Sequence, residues 1–432
     1  MNNLFEISGI KQKRKEKKKR LTLFSNMDRG NAYFCSLAIT FFLLLLGGCE
    51  TRTVSNENTL VINPIDAKDF INLSEIADSI KYIKLQTEND DVIGRARVIL
   101  IKKKFIYVQD MSQKVVFVFD KEGKFVSKLN KRGNGPGEYL FMGPIMVDDN
   151  EESLEFIDFS LRKVIKYSNI SFELLETIPF PDLNFNSSRK HEGFYYLATQ
   201  QLDNFVGGVS TNAGLIVVDD KSNVKTLFEK KIQTGNSYYS INDESFTRND
   251  TGELFLSLMF DNTFYNLKAG EAHPVFTVDF GKYGMENNSI GSLSTKEQME
   301  YIENMNKIAA FPVLDINNSD IMSISYLFPQ GGEKKLIAKE DYRLYLKFKK
   351  NDKVYHTKRI KNDLTNFPDN IYISSSYFSG CSHEAWYEDY LVDVVVPDRY
   401  FSKLTDSLVV DGIGEITAMD NPVILLMKLK KR

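Results

Sequence analysis

Few residues in this sequence combine the type and the spacing that chemistry needs. The four histidines, His191, His273, His356 and His383, are scattered, and none shows zinc-ligand spacing such as HExxH. The densest reactive group is Cys381 with His383 and Glu384, but no second His or Cys completes a metal set. Cys381 is also the one cysteine in the body of the chain, and a lone thiol usually serves as a small buried apolar residue. No G-x-S-x-G elbow anchors a hydrolase triad. The pairs Asp90-Asp91, Asp148-Asp149 and Asp219-Asp220 follow strand-like runs, where turn chemistry and edge protection explain them. Tyr238-Tyr239 and Tyr372–Tyr377 offer stacking surfaces for sugar or peptide, or plain strand packing. The sequence therefore assigns no catalytic residue, no metal ligand and no cofactor.

The most distinctive stretch is Lys131-Arg132-Gly133-Asn134-Gly135-Pro136-Gly137-Glu138-Tyr139. Its glycines permit backbone angles that other residues avoid, and Pro136 fixes one φ among them. It lacks the Gly-Lys-Ser/Thr ending of a phosphate loop, and Pro136 removes an N–H that a phosphate would use. Two readings stand: a tight turn between structural units, in which Gly135→Val should hurt folding before any binding, or a loop whose Arg132, Asn134 and Glu138 face a channel mouth and touch ligand.

The N-terminus reads as an address. Phe34–Leu46 has no charge and is too short to span a bilayer, but it suits a signal-peptide core. It ends in Leu46-Gly47-Gly48-Cys49, similar to a bacterial lipobox, in which cleavage precedes the cysteine and the thiol carries lipid. Residues 1–48 are thus a signal-peptide region and 49–72 a lipidated tether. Met27 precedes Arg29 and the apolar core, so it is the expected true start, with residues 1–26 absent from the natural product. The residue after Cys49 is Glu and not Asp, favouring the outer membrane, with the periplasmic face as the default side. The net charge is −3, yet residues 1–48 carry nine Lys and Arg against three acids, so the body is more acidic than the whole. That balance argues against a nucleic-acid partner.

From Ile80 onward apolar residues recur mainly at every second position, and 31 Phe and 21 Tyr fit pleated, half-buried surfaces. Strands are expected at Val98–Ile101, Phe105–Gln109, Val115–Phe119 and Lys124–Leu129. A second unit around Leu154–Asp158 and Lys163–Tyr167 repeats the pattern, with Asp158 standing 48 residues after Asp110. Four short strands per repeat of this length mark a β-propeller blade. Weaker units continue to the C-terminus, and the reading is an all-β, six-bladed β-propeller over residues 73–432 with short helical insertions. Ser294 and Glu297 form a capping-box pattern that starts one helix. A shorter helix is expected within Asp398–Ser407. Closing the ring would pair Ile80–Leu85 with Val423–Leu429 in one blade and hide both edges.

The order of motifs, namely the lipobox, Leu73–Ile80, Val118–Phe125, Arg132–Tyr139 and Asn421-Pro422-Val423, resembles the six-bladed β-propeller lipoproteins of Bacteroides-type bacteria. The resemblance is sharpest over residues 73–170. It implies the fold and an envelope location, and it carries no catalytic residues. The expected function is a lipid-anchored binding or interaction module whose ligand is an envelope protein, a peptide or a glycan. The alternative is a metal-dependent hydrolase or lactonase that holds calcium with channel carboxylates.

Overall fold

The computed structural model describes residues 58–87, 92–230, 232, 245–285, 290, 292–330, 341–373 and 381–430. The signal region, Cys49, Tyr238-Tyr239, Asp90-Asp91 and most of Tyr372–Tyr377 lie outside the described residues.

Alternating apolar residues drive the chain into short antiparallel strands, which assemble as the blades of a propeller. Blade one comprises Ala96–Ile101, Ile106–Asp110, Val115–Phe119 and Phe125–Leu129. Blades two, three, four and five follow over residues 146–179, 187–229, 246–279 and 310–357. The last blade combines Trp386–Tyr387, Tyr390–Val395 and Val423–Leu429 with the N-terminal strand Ala77–Lys84. Burial falls from fully buried second and third strands, such as Ile106–Asp110, to exposed last strands such as Leu174–Pro179, which form the rim.

A further sheet packs between blade five and the last blade. Its strands are Ile71–Asn72, Ile360–Lys361 and Asn370–Ile371. Ile71, Ile360 and Ile371 join one apolar cluster with Leu344 and Leu346 of blade five and Leu391 and Met427 of the last blade. The expectation of six blades is thus corrected to seven, six full and one rudimentary. Two-residue strands leave no alternation for the sequence to display. Thr59–Val61 pairs with blade four and Ile71–Asn72 with the extra blade, so residues 59–72, read from the sequence as tether, belong partly to the sheets.

Ring closure occurs as the edge argument required. Ile80 pairs with Met427, Tyr82 with Leu425 and Lys84 with Val423. Other expectations change. The runs from Ile371 and Glu415 suggest two strands of the last blade, but Ile371 joins the rudimentary blade and Gly414–Thr417 forms a side hairpin with Ser407–Val410. The inner strands Ser187–His191 and Ala310–Asn317 escaped notice, the first because it is polar. The helix Thr295–Glu303 begins at Ser294, whose hydroxyl accepts from the Glu297 N–H as its capping box prescribes. The second helix is a single turn, Pro397–Tyr400.

The paired aspartates of the repeat act as corner clamps. The Asp110 carboxylate, fully buried, accepts hydrogen bonds from Gly94 N–H (2.6 Å), Ser112 N–H (2.7 Å), Ser112 Oγ (2.6 Å) and Gln113 N–H (3.1 Å). Asp158 does the same for Leu140, Ser160 and Leu161. Each ties the turn after its blade's second strand to the link entering that blade. Burial alone would raise the Asp110 pKa, but the hydrogen bonds from Ser112, Gln113 and Gly94 hold it below the usual value.

Strand order also fixes what each end of the propeller carries. In an up-and-down four-stranded blade, the turns after strands one and three emerge at one end. The connections after strand two and the links between blades emerge at the other. At the first end, the described turns within the four-stranded blades are all short, such as 120–124, 192–193 or 269–270. At the second end lie the glycine-rich link 130–145, the helix-bearing link 280–309 and two connections that carry hairpins, 199–212 and 396–422.

Candidate functional site

The glycine-rich link leaves the outermost strand of blade one and folds back on itself. Arg132 and Tyr139 form a parallel bridge, with Gly133 N–H donating to the Tyr139 carbonyl at 2.9 Å and Tyr139 N–H to the Lys131 carbonyl at 3.0 Å. Tyr139 is completely buried, and its hydroxyl donates to the Lys114 carbonyl at 2.7 Å. Burial pushes that hydroxyl up to about 12, so it stays protonated and remains a donor. Glu138 turns inward over the loop, its Oε2 accepting from Gly135 N–H at 2.7 Å. Tyr167 from blade two donates to the Gly137 carbonyl at 2.8 Å.

The glycines have unequal roles. Gly137 holds φ +71°, and a Cβ there would stand 3.1 Å from Leu174 Cδ2. At Gly133 a Cβ would fall 2.1 Å from Glu138 Oε2. Gly135, where the sequence reading expected a substitution to hurt folding first, has no positive φ, and its Cβ would lie 3.0 Å from the same flexible carboxylate.

Beside this fold is a cleft of about 400 Å³ lined by Asn130, Lys131, Arg132, Pro136, Gly137, Glu138 and Leu174. Of the residues expected to contact ligand, Arg132 and Glu138 line it, while Asn134 is exposed on the adjoining turn. Their place differs from the expected channel mouth. Leu174 begins the outermost strand of blade two, and the Lys131 ammonium donates to the Phe172 carbonyl at 2.6 Å. The cleft therefore opens on the rim between blades one and two. Lys131 shares the motif and was within reach of sequence reasoning. Leu174 lies far along the chain with nothing in its surroundings to mark it.

The other candidates are spent on structure. His383 is buried, its Nδ1 3.5 Å from the Cys381 carbonyl oxygen, and burial lowers its pKa to about 4. Cys381 is buried with it, and Glu384 reaches Lys102 at 3.6 Å. His356 meets the Tyr326 hydroxyl at 2.7 Å and is likewise pushed down to about 4 by burial. Asp148 and Asp219 accept from the backbone of their own turns. Among the described residues, no three His, Cys, Asp or Glu side chains are grouped to hold a metal ion. None of the described helices is long and apolar enough to cross a membrane.

Fold and site together define a β-propeller with a charged rim cleft and one elaborated end. The chain belongs to the DUF4934 family, a domain of unknown function, which matches residues 59–428. No curated protein matches it. Among solved structures it is similar to a protein of Bacteroides fragilis NCTC 9343 described as exported, at 16% identity and TM-score 0.61, covering 86% of this chain and all of that one. It is also similar to a member of the duf4221 family from Bacteroides vulgatus ATCC 8482, at 10% identity and TM-score 0.51, covering 82% of this chain and 98% of the other. At these identities the likeness concerns fold.

Proposed function

We propose that this protein is a lipid-anchored propeller of the bacterial envelope, held through Cys49, that binds a protein, peptide or glycan partner. The lipobox-like Leu46-Gly47-Gly48-Cys49 supports the anchor. The outer membrane, periplasmic side, is the proposed location, and the exported relative agrees with a place outside the cytoplasm. The observation that carries the binding role is the asymmetry between the two ends. Among the described residues, the turns at one end of the four-stranded blades are all short, while the other end carries links, a helix and two hairpins with exposed apolar side chains. Phe205 and Val209 are 67% and 69% exposed on the first hairpin, and Leu404 and Val409 are 67% and 66% exposed in the connection bearing the second. These side chains give the elaborated end apolar surface on two hairpins, the kind of surface that marks an interaction site where it is contiguous. Arg132, Asn134 and Glu138 supply a polar contact at the neighbouring rim.

The hydrolase alternative needs converging carboxylates. The buried acids Asp110 and Asp158 are committed to backbone N–H groups instead, and nothing in the geometry of the described residues favours that reading.

Site-specific photo-cross-linkers placed at Phe205, Val409 and Arg132, against controls at Lys121 and Lys221 in the tight turns, test the role in intact envelopes. Discrete adducts from the first set and none from the controls are expected. Adducts from both sets alike, or from the controls alone, would remove the case for a binding end.

A further inference from the structure

The segment from Thr59 to Gln86 follows the rim through five successive blades. Thr59–Val61 pairs in parallel with the outer strand of blade four, opposite Thr277–Asp279, and Ile62 N–H donates to the Asp279 carbonyl at 2.9 Å. Lys68 then bridges to blade five, its N–H donating to the His356 carbonyl and its carbonyl accepting from Lys358 N–H, both at 2.9 Å. Ile71–Asn72 joins the rudimentary blade, Ala77–Lys84 closes the last blade, and Gln86 N–H reaches the Gly123 carbonyl of blade one at 2.8 Å.

The two halves of this strap are held unequally. In the second half Leu73, Ile76 and Ala77 are fully buried, and Ala77–Lys84 pairs along nearly its whole length. The first half has a three-residue strand and one isolated bridge, and Val61, Ile65 and Phe70 stand 68%, 55% and 44% exposed. Its apolar anchorage is Ile62 with Leu60, packed on Val278, Phe280, Tyr326 and Phe328, followed by buried Pro64. An element with few buried contacts and solvent-facing backbone bonds opens at lower free energy than its neighbours.

We propose that Asn58–Phe70 is a releasable latch, and that the groove beneath it on blades four and five is a strand-accepting site. The acceptor consists of the backbone edges of Thr277–Asp279 and His356–Thr357 over a floor of Phe280 and Tyr326. Its occupant is an extended segment with apolar side chains two residues apart, followed by proline, supplied in the closed state by the chain's own Leu60, Ile62 and Pro64. When the latch lifts, blades four and five gain free edges while the closing strand stays in place.

Native-state hydrogen exchange on the full chain tests the latch. The amides of Ile62 and Lys68 should lose protection at least about tenfold more readily than those of Ile80 to Ile83. Equal protection would overturn the proposal. A variant lacking residues 58–70 tests the groove: it should fold, with faster exchange confined to Val275–Phe280 and Tyr355–Thr357. A synthetic peptide of residues 58–70 should restore that protection, and the same peptide carrying Ile62→Glu should not. A deletion variant that fails to fold, or one that the two peptides protect equally, would contradict a releasable latch over a specific groove.

Discussion

Alanine at Gly137 and alanine at Gly135 have different expected consequences, although the two sites are two residues apart in one link. At Gly137 the backbone sits at φ +71°, where an L-residue costs about 1–2 kcal/mol. The added methyl would meet Leu174 at 3.1 to 3.4 Å, but Leu174 is 42% exposed and can yield. Relaxing the strain by moving the backbone would instead disturb the buried bond from Tyr167 to the Gly137 carbonyl. At Gly135 the backbone is unstrained, and the new Cβ crowds only the tip of Glu138. Losing that contact costs about 0.5–1 kcal/mol, offset by about 0.4–1 kcal/mol from a stiffer unfolded chain. Thermal unfolding of both variants should show Gly137→Ala lowered by about 1–3 °C and Gly135→Ala near wild type. Equal losses, or a larger loss at Gly135, would refute this account of the link.

Leu425→Ala, at a fully buried position in the closing blade, should cost about 2–5 kcal/mol in chemical unfolding; a neutral result would mean the closure contributes little. Asp110→Ala strands several backbone donors and should cost about 2–4 kcal/mol by the same measurement. Because its folded pKa is lowered, the Asp110 contribution is present above about pH 3.8 and lost as pH falls further. His356 and His383 act in a higher window. Their folded values of about 4 lie below the ordinary 6.5, so the unfolded chain binds protons first and stability declines from pH 6.5 towards 4. Each histidine removes up to about 3 kcal/mol across that window, and His383→Leu should flatten the decline seen in urea midpoints. An unchanged slope would count against the buried neutral imidazole.

Where many residues carry a period of two, the sequence was readable. Blade one, blade two and the pairing of Ala77–Lys84 with Val423–Leu429 follow from alternation and from the need to hide sheet edges. The capping box at Ser294 was equally plain because its two partners are three residues apart. The rudimentary blade was not readable, since its three strands come from distant segments of two residues each. Ser187–His191 was hidden because it is built from serine and basic residues and carries no apolar alternation. The glycine-rich link announced itself, yet its position on the rim depends on Phe172 and Leu174, contacts that no local pattern encodes. Asp148, Asp219 and the Cys381–His383 group were legible as turn and core residues because no spacing united them.

The account depends on the propeller being displayed from a membrane by a lipid on Cys49. Metabolic labelling of the native cell with an alkyne fatty acid, followed by envelope fractionation, tests this directly. Wild-type protein should take up the label and sediment with membranes, while Cys49→Ala should take up none and leave the membrane fraction. Label retained in Cys49→Ala, or wild-type protein without label in the soluble fraction, would contradict the lipid-anchored propeller.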